Sequence, residues 1–200
     1  MTKIGIMGGT FNPIHLAHIK IAEASMEQAG LDEVWFMPSK NPPHKDRQSI
    51  LPEKIRSDMV RLAIDNCPGF IFSDFELKRE GVTYSAETLT MLTEIYPEAL
   101  FFFIMGADSF MHIEHWHRPD IIMKKAILLC VGRNTTDEEM LSQKVLLEKK
   151  YSARIKLIEM EQMNISSSYV RKEISEGRLP KAMLSDRVAD YITENKLYQK

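Results

Sequence analysis

Cysteine is scarce in this chain, with only Cys67 and Cys130 among 200 residues. Two cysteines cannot build a disulfide framework and neither belongs to a C-x-x-C pair, so both are expected to be reduced structural thiols. The apolar run after residues 1–3 is too short for a secretory signal, and the longest later run, 99–107, is far shorter than a membrane span. We therefore expect a cytoplasmic protein without membrane contacts.

An excess of positive charge is also missing. The formal net charge is −2 and the isoelectric point is near 6.3, so the chain lacks the basic field on which general nucleic-acid binding depends. Any recognition of phosphate must be local. The 44% apolar and 27% charged residues are ordinary for a globular chain, and the length predicts a single domain over 1–200, with 166–200 as a C-terminal helical segment packed on it. Whether the chain forms a homo-oligomer stays open.

Two common phosphate-binding motifs do not occur. A dinucleotide-binding oxidoreductase would have G-x-G-x-x-G and a P-loop kinase would have G-K-[ST], and neither is present. The chain instead has a short buried strand at 4–7 followed by Gly8 and Gly9, which let backbone approach a ligand closely. Asn12 followed by Pro13 then predicts a helix beginning near Asn12. A strand end, a glycine turn and a helix N-terminus at one point favour phosphate binding.

The histidines in this stretch strengthen the prediction. His15 and His18 are three residues apart, so on a helix they share one face and can contact the same anion; considered alone, they could equally be solvated or bind a metal. Residues 8–18 resemble the glycine-rich, H-x-x-H signature of the nucleotidylyltransferase superfamily, although many members have Asp in place of Asn12 and Gly in place of Ala17. The resemblance implies that ATP is bound by Gly8, Gly9, Thr10 and Phe11.

Strands and helices alternate along the rest of the chain. Further buried strands are predicted at 33–38, 70–75, 100–105, 126–131 and 154–159. Helices are predicted from Asn12 to Gly30, over 52–66, from Ser85, beyond Asp108, from a Thr136/Glu139 capping box to Lys150, from Ser166, and over 185–195. Such units form right-handed parallel crossovers with the ligand crevice at the carboxyl ends of the strands. We therefore expect an α/β fold with a doubly wound, Rossmann-like parallel sheet and helices on both faces.

A second phosphate-binding candidate follows the last predicted strand, at 164–171. Serine is a favoured helix cap, so the three consecutive serines could be structural. Hydroxyls and free N–H groups at a helix N-terminus, with Arg171 about one turn in, can also bind terminal phosphates. The run resembles the superfamily's second signature, S-S-T-x-x-R, with Ser168 replacing threonine. The resemblance implies ATP contacts from Ile165, Ser166, Ser167 and Ser168.

Three segments that follow predicted strands point to a narrower family. Loop 39–47 carries two prolines and four potentially cationic side chains; alone it could be a solvated connection, but 41–45 resembles the substrate loop of bacterial nicotinate-nucleotide adenylyltransferases. Residues 83–85 resemble the nicotinate-side loop of that family, and Ser85 is also a good helix cap. These two segments imply that the mononucleotide is contacted by His44, Thr83 and Tyr84.

The third segment starts where the strand 100–105 ends. Asp108 is placed to accept hydrogen bonds from ribose hydroxyls, and the helix beyond carries Trp116. Gly106, Asp108 and Trp116 fit the family's pattern of a strand end followed by a helix with a tryptophan beside the pyridine ring, with His117 as a further contact. The H-x-x-H-x-H spacing at 112–117 also invites a metal interpretation, which we do not favour because metal sites usually recruit ligands from several elements.

The resemblance to nicotinate-nucleotide adenylyltransferases covers nearly the whole chain. It implies an enzyme of NAD biosynthesis that joins ATP and nicotinate mononucleotide, giving nicotinate adenine dinucleotide and pyrophosphate by in-line transfer without a covalent intermediate. Mg²⁺ is expected to bind mainly through the ATP phosphates. Adenylyltransferases acting on nicotinamide mononucleotide or phosphopantetheine, and a non-catalytic nucleotide sensor, stay open as alternatives, and the nicotinate-side segments disfavour phosphopantetheine. The residues expected to be catalytic are His15, His18, Lys45 and Arg171.

Overall fold

The computed structural model describes residues 1–40, 50–132, 138–161 and 163–199. Its strands are β1 (Thr2–Gly9), β2 (Glu33–Pro38), β3 (Phe70–Phe72), β4 (Ala99–Gly106), β5 (Ile127–Gly132) and β6 (Ile155–Glu159). They form one sheet in the order β3-β2-β1-β4-β5-β6, and every neighbouring pair is parallel. This strand order is that of a Rossmann fold, so the predicted α/β class is confirmed.

Helices connect the strands. They are α1 (Leu16–Ala29), α2 (Glu53–Ile64), α3 (Ser85–Ile95), α4 (Ala107–Met111), α5 (Pro119–Lys125), α6 (Glu138–Tyr151), α7 (Ser167–Ser175) and α8 (Asp186–Glu194). Short 3₁₀ turns lie at Ile113–His115 and Lys181–Met183. In the described part of the chain, no helix combines the length and the apolar character that crossing a membrane would require.

The sheet has a hydrophobic cluster on each face because side chains alternate along buried strands. In β4, Phe102 and Ile104 join the cluster that also contains buried residues of α1, α2, α7 and α8. Phe101, Phe103 and Met105 join the opposite cluster with α3, α5 and α6. The sheet is therefore covered by helices on both sides, as predicted.

The strand order reverses between β1 and β4, and this reversal opens the crevice. The chain leaves β1 toward α1 on one face, where Ile19 and Ala22 are buried. It leaves β4 toward α4 and α5 on the other face, where Phe110 and Ile122 are buried. Because the two connections diverge, the carboxyl ends of β1 and β4 border the crevice in which this fold class binds ligands.

The predicted helix start near Asn12 is wrong. Helix α1 begins at Leu16 with His15 as its N-cap residue. The Asn12 side chain accepts hydrogen bonds from the Leu51 amide at 3.3 Å and from the Tyr198 hydroxyl at 2.9 Å. An Asn side chain is a good cap only when its oxygen is directed at the first helical turn, and here distant parts of the chain engage it.

Two other predicted elements are shorter than expected. Strand β3 ends at Phe72 rather than at residue 75. The helix expected to carry Trp116 and His117 ends at Met111, and the chain continues through the Ile113–His115 turn, so both residues lie outside a helix. Phe110, near the end of α4, and Ile113, at the start of the 3₁₀ turn, are both fully buried. The tight turn keeps these two residues, three positions apart, on the same side of the chain. Thr136 of the predicted capping box lies outside the described residues.

Candidate active site

The loop after β1 is built around a buried aromatic ring. Phe11 has a φ of 48° and is 2% exposed. A Cβ placed on Gly9 would lie 3.0 Å from the Phe11 ring, so the absence of a side chain at Gly9 makes room for this packing. On its other side the ring makes an edge contact with the imidazole of His18, with centroids 5.1 Å apart. The glycine turn therefore supports a catalytic candidate as well as leaving backbone accessible.

The two histidines lie together at the N-terminus of α1. Their ring centroids are 3.7 Å apart. The His15 amide donates to Nδ1 of His18 at 3.2 Å, and the His18 amide donates to the His15 carbonyl at 2.9 Å. Because Nδ1 of His18 accepts a hydrogen bond, the proton of the neutral ring is assigned to Nε2. The sequence prediction that both imidazoles share one location is confirmed.

Burial changes the charge state of His15. The residue is 7% exposed, and this burial lowers the pKa of its imidazole to about 4, since a charged ring loses hydration there. His15 is therefore neutral at pH 7. A neutral imidazole still offers one N–H to an anion.

Helix α7 contacts the loop that precedes the histidines. The Ser167 hydroxyl donates to the Pro13 carbonyl at 2.9 Å, and Nη1 of Arg171 donates to the Asn12 carbonyl at 2.8 Å. Nη2 of Arg171 also donates to the Ser168 hydroxyl at 3.3 Å. The two predicted phosphate-binding segments, more than 150 residues apart in the chain, are thus in direct contact.

The serines before and within α7 have different roles. The Ser166 hydroxyl caps the helix by accepting from the Tyr169 amide at 3.1 Å. With Ser167 bonded to the β1 loop, two of the three hydroxyls already contribute to the structure. Ser168 is exposed, and Ile165 packs against the core. The interpretation of the serines as structural residues is therefore correct for Ser166 and Ser167. The positive end of the α7 dipole can still attract an anion.

Open space lies beside the ends of β1 and β4. A Cβ placed on Gly8 or on Gly106 would meet no heavy atom within 4 Å. Gly106 caps α4, and Asp108 is exposed in the first turn of that helix. Two glycines facing open space at neighbouring strand ends leave backbone accessible to a ligand.

Three of the residues predicted for the nicotinate side take part in two aromatic contacts. The rings of Tyr84 and His117 lie 4.3 Å apart at 32°, and Nε2 of His117 is 3.0 Å from Oε1 of Glu87. Trp116 meets Phe103 edge-on with centroids 6.1 Å apart. Thr83 is buried just before α3, at 5% exposure. Glu87, which orients His117, was not predicted from the sequence.

Comparisons with known proteins identify the family. The family model described as Cytidylyltransferase-like matches residues 6–173. A protein of Lachnoclostridium phytofermentans is 43% identical, with 99% of this chain and 100% of that protein covered, and one of Clostridium acetobutylicum is 39% identical with the same coverage. Both bear the name "Probable nicotinate-nucleotide adenylyltransferase". The chain belongs to this family.

Solved structures agree with the fold of a nicotinate-nucleotide adenylyltransferase. The Plasmodium falciparum nicotinic acid mononucleotide adenylyltransferase complexed with NaAD has a TM-score of 0.82, and its complex with APC has one of 0.79. In both, 99% of this chain and 98% of the other chain are covered at 22% identity. The family predicted from the sequence motifs is confirmed, and the oxidoreductase and P-loop kinase alternatives are excluded.

Some predicted site residues cannot be placed in this adenylyltransferase. His44 and Lys45, with the rest of 41–45, lie outside the described residues. Within the described ranges, no three His, Cys, Asp or Glu side chains form a group able to hold a metal ion. The rings of His112 and His115 stack with centroids 6.1 Å apart, whereas His117 pairs with Glu87.

Two residues that hydrogen-bond to the loop after β1 were not identified from the sequence. Tyr198 donates its hydroxyl to the Asn12 side chain at 2.9 Å, and burial raises the pKa of this phenol, so it stays a neutral donor. Arg56 is 1% exposed and donates to the Thr10 carbonyl at 2.6 Å. Its position three residues before Met59, on the buried face of α2, was the available signal. No local pattern marks Tyr198.

The buried His15 of this adenylyltransferase gives a pH-dependent stability. Between pH 6.5 and about 4 the unfolded chain binds a proton at His15 that the folded chain does not, so the free energy of unfolding falls as the pH is lowered through that window. We expect His15 to contribute a loss of about 3 kcal/mol over the whole window. Urea unfolding at several pH values should show the loss in the wild type and a smaller one in His15→Gln. Exposed His112→Gln is the control and should follow the wild type; equal slopes for all three would contradict the assignment.

Proposed function

We propose that the chain transfers the adenylyl group of ATP to nicotinate mononucleotide, releasing pyrophosphate and forming nicotinate adenine dinucleotide in NAD biosynthesis. The observation that carries the proposal is the contact of α7 with the β1 loop, through Arg171 to Asn12 at 2.8 Å and Ser167 to Pro13 at 2.9 Å. This contact joins the histidine pair and a cationic helix N-terminus in one crevice, which suits a triphosphate. Family membership supports the choice of substrates.

The reaction explains why no nucleophilic side chain is needed. The attacking phosphate of the mononucleotide is already an anion at neutral pH, since its second pKa is near ~6. Its oxygen forms the new bond to the α-phosphorus of ATP while the bond from that phosphorus to the bridging oxygen breaks, and the electron pair leaves with pyrophosphate. The protein therefore has to align two anions and stabilise the charge that develops on the departing phosphates.

The site residues have complementary roles in this reaction. His18 donates from Nε2 to the phosphates at the α1 N-terminus, and His15 adds a neutral N–H beside it. Arg171 provides a fixed positive charge that already lies against the same loop. Lys45 is proposed to meet the incoming phosphate. The remaining ATP contacts are assigned to the backbone of Gly8, Gly9, Thr10, Phe11, Gly106, Ile165, Ser166 and Ser167 and to Ser168, with Asp108 on the ribose.

Magnesium fits this site as an ion that accompanies ATP. Within the described residues there is no group of three side chains suited to hold a metal, and Mg²⁺ commonly keeps water and substrate phosphates as ligands. When bound, it neutralises charge on the phosphate oxygens.

The binding of the pyridine ring of the mononucleotide is assigned to Tyr84, Trp116 and His117. Tyr84 and His117 stack, Glu87 fixes the imidazole orientation, and Trp116 lies next in the chain. Thr83 and His44 are proposed to complete this end of the site. Since both candidate mononucleotides have the same phosphate, discrimination between acid and amide must arise here.

A preference for nicotinate over nicotinamide mononucleotide is the expected result. A carboxylate only accepts hydrogen bonds, whereas an amide also presents N–H groups that donors around the ring would leave unpaired. Losing one charge-assisted hydrogen bond is worth roughly 1.5 to 3 kcal/mol, which gives about a tenfold to hundredfold ratio of kcat/KM. Pyrophosphate release with ATP, Mg²⁺ and each mononucleotide measures this ratio. His117→Gln should reduce it, and exposed His115→Gln should not.

The same assay separates the alternatives. A ratio near one, or one favouring the amide, would overturn the nicotinate assignment while leaving adenylyl transfer intact. Pyrophosphate release only with phosphopantetheine would replace the acceptor. Binding of ATP without turnover on any acceptor would mean a nucleotide sensor and would overturn the proposed function.

We further propose that residues 1–200 form a single domain and that the protein is cytoplasmic. Buried residues of α7 and α8, such as Val170 and Val188, pack in the same cluster as Met7 of β1, so the helical segment 166–200 is expected to be needed for folding. Both cysteines are free thiols in the structure, which suits a reducing compartment.

A further inference from the structure

Arg56 is a buried cation that joins three backbone segments. It lies in α2 and is 1% exposed. Its Nη1 donates to the Thr10 carbonyl at 2.6 Å, its Nη2 to the Ser39 carbonyl at 3.0 Å, and its Nε to the Leu51 carbonyl at 3.0 Å. All three nitrogens of the guanidinium thus hold main-chain oxygens, and none of these bonds depends on the side chains of the loops.

The three carbonyls belong to segments that border the crevice. Thr10 follows β1 in the loop that leads to the histidine pair. Ser39 follows β2 and lies two residues before the predicted substrate loop at 41–45. The two loops are also tied to each other, since the Ser39 amide donates to the Gly9 carbonyl at 2.8 Å. Arg56 therefore connects the ATP side of the site with the segment leading to the mononucleotide side.

In the part of the chain that the structure describes, the Arg56 guanidinium has no carboxylate within ion-pair distance, and Glu53 attracts its charge only through space. No ion pair of Arg56 occurs there, and its hydrogen-bond acceptors are neutral carbonyls. Burial lowers the pKa of the guanidinium, but arginine stays charged in proteins. A buried charge is usually compensated by an opposite one. Here the three carbonyl oxygens and the through-space attraction of Glu53 stabilise it.

We propose that Arg56 is a positioning residue for the adenylyl transfer: it holds the backbone at Thr10, Ser39 and Leu51 in one alignment. The inference rests on the proposed function. A fixed spacing between the loops after β1 and β2 matters because the reacting oxygen and the α-phosphorus must meet in line, and a displacement of about 1 Å can cost about 10²-fold in rate.

The test compares Arg56→Lys and Arg56→Gln with the wild type. Lysine keeps the charge but cannot hold three carbonyls in a planar arrangement, whereas glutamine removes the charge. We expect Arg56→Lys to lower kcat about tenfold to hundredfold at saturating substrates in fully folded protein. Arg56→Gln, which has fewer donors for the three carbonyls, should lower kcat at least as far with little change in the KM for ATP. Arg61→Gln is the matched control, since Arg61 lies exposed on the same helix over the Phe72 ring, and it should leave both constants unchanged.

The readouts separate positioning from a structural role. Circular dichroism and thermal unfolding give the folded fraction of each variant, and kcat is expressed per folded molecule. A loss of activity that only follows the folded fraction, constants of folded Arg56→Lys within about twofold of the wild type, or failure of both variants to fold would overturn the inference. The failure of the proposed function would be distinct, because the wild type itself would then release no pyrophosphate.

Discussion

Replacing His18 with alanine is expected to lower kcat about 10²- to 10³-fold, the usual cost of removing one donor to developing charge. The His18 ring contacts the rings of Phe11 and His15 and accepts a hydrogen bond from the His15 amide at Nδ1. Steady-state pyrophosphate release measures the effect. The fold should survive, because loss of the hydrogen bond from the His15 amide costs only about 1 kcal/mol.

Two comparisons make the His18 experiment specific. His15→Ala should also lower turnover but less severely. His112→Ala removes an exposed histidine with no assigned role in the reaction and should keep full activity. A folded His18→Ala protein with near-normal kcat would remove His18 from the mechanism.

Replacing Arg171 with alanine is expected to raise the KM for ATP and to lower kcat, together by about tenfold to hundredfold in kcat/KM, because a charge-assisted hydrogen bond is lost. The guanidinium has a second role, since it holds the Asn12 carbonyl at 2.8 Å. Arg171→Lys should restore activity only in part, because an ammonium group cannot bond the loop and a phosphate with the same planar geometry. Initial rates at varied ATP concentration give both constants.

Lys172→Ala is the matched control for Arg171. Lys172 is the next residue of α7, is exposed, and carries the same charge. If both variants weaken ATP equally, the effect comes from the general field of the helix. If neither does, residues 166–171 act only as a helix start.

The sheet could be predicted from the sequence because its strands are short buried runs bounded by turns. Residues 100–105 are six consecutive apolar residues, and the structure places the central strand β4 there. The boundaries were less accurate where tertiary contacts compete with local signals. Asn12 illustrates this, because its side chain bonds Leu51 and Tyr198 rather than a helical turn.

The site could be predicted only where a motif is contiguous. The histidine pair and the serine run each occupy one short segment, and the structure brings them together through α7. Arg56 looks like a surface charge in the sequence, and only the packing of α2 shows that it is buried. The neutral state of His15 could not be predicted either, because it depends on burial by the fold rather than on neighbouring residues in the chain.

The hydrogen bond between Tyr198 and Asn12 can form only after nearly the whole chain has been synthesised. The two residues are separated by 186 positions, and a ribosome adding roughly 5 to 20 residues per second needs roughly 10 to 40 seconds to cover that distance. The loop after β1, which contains Asn12, is synthesised early, but its hydrogen bond to Tyr198 can form only at the end of synthesis. A nascent chain stalled before residue 198 would therefore carry both histidines and an intact sheet, yet have the loop held by one bond fewer than in the finished protein.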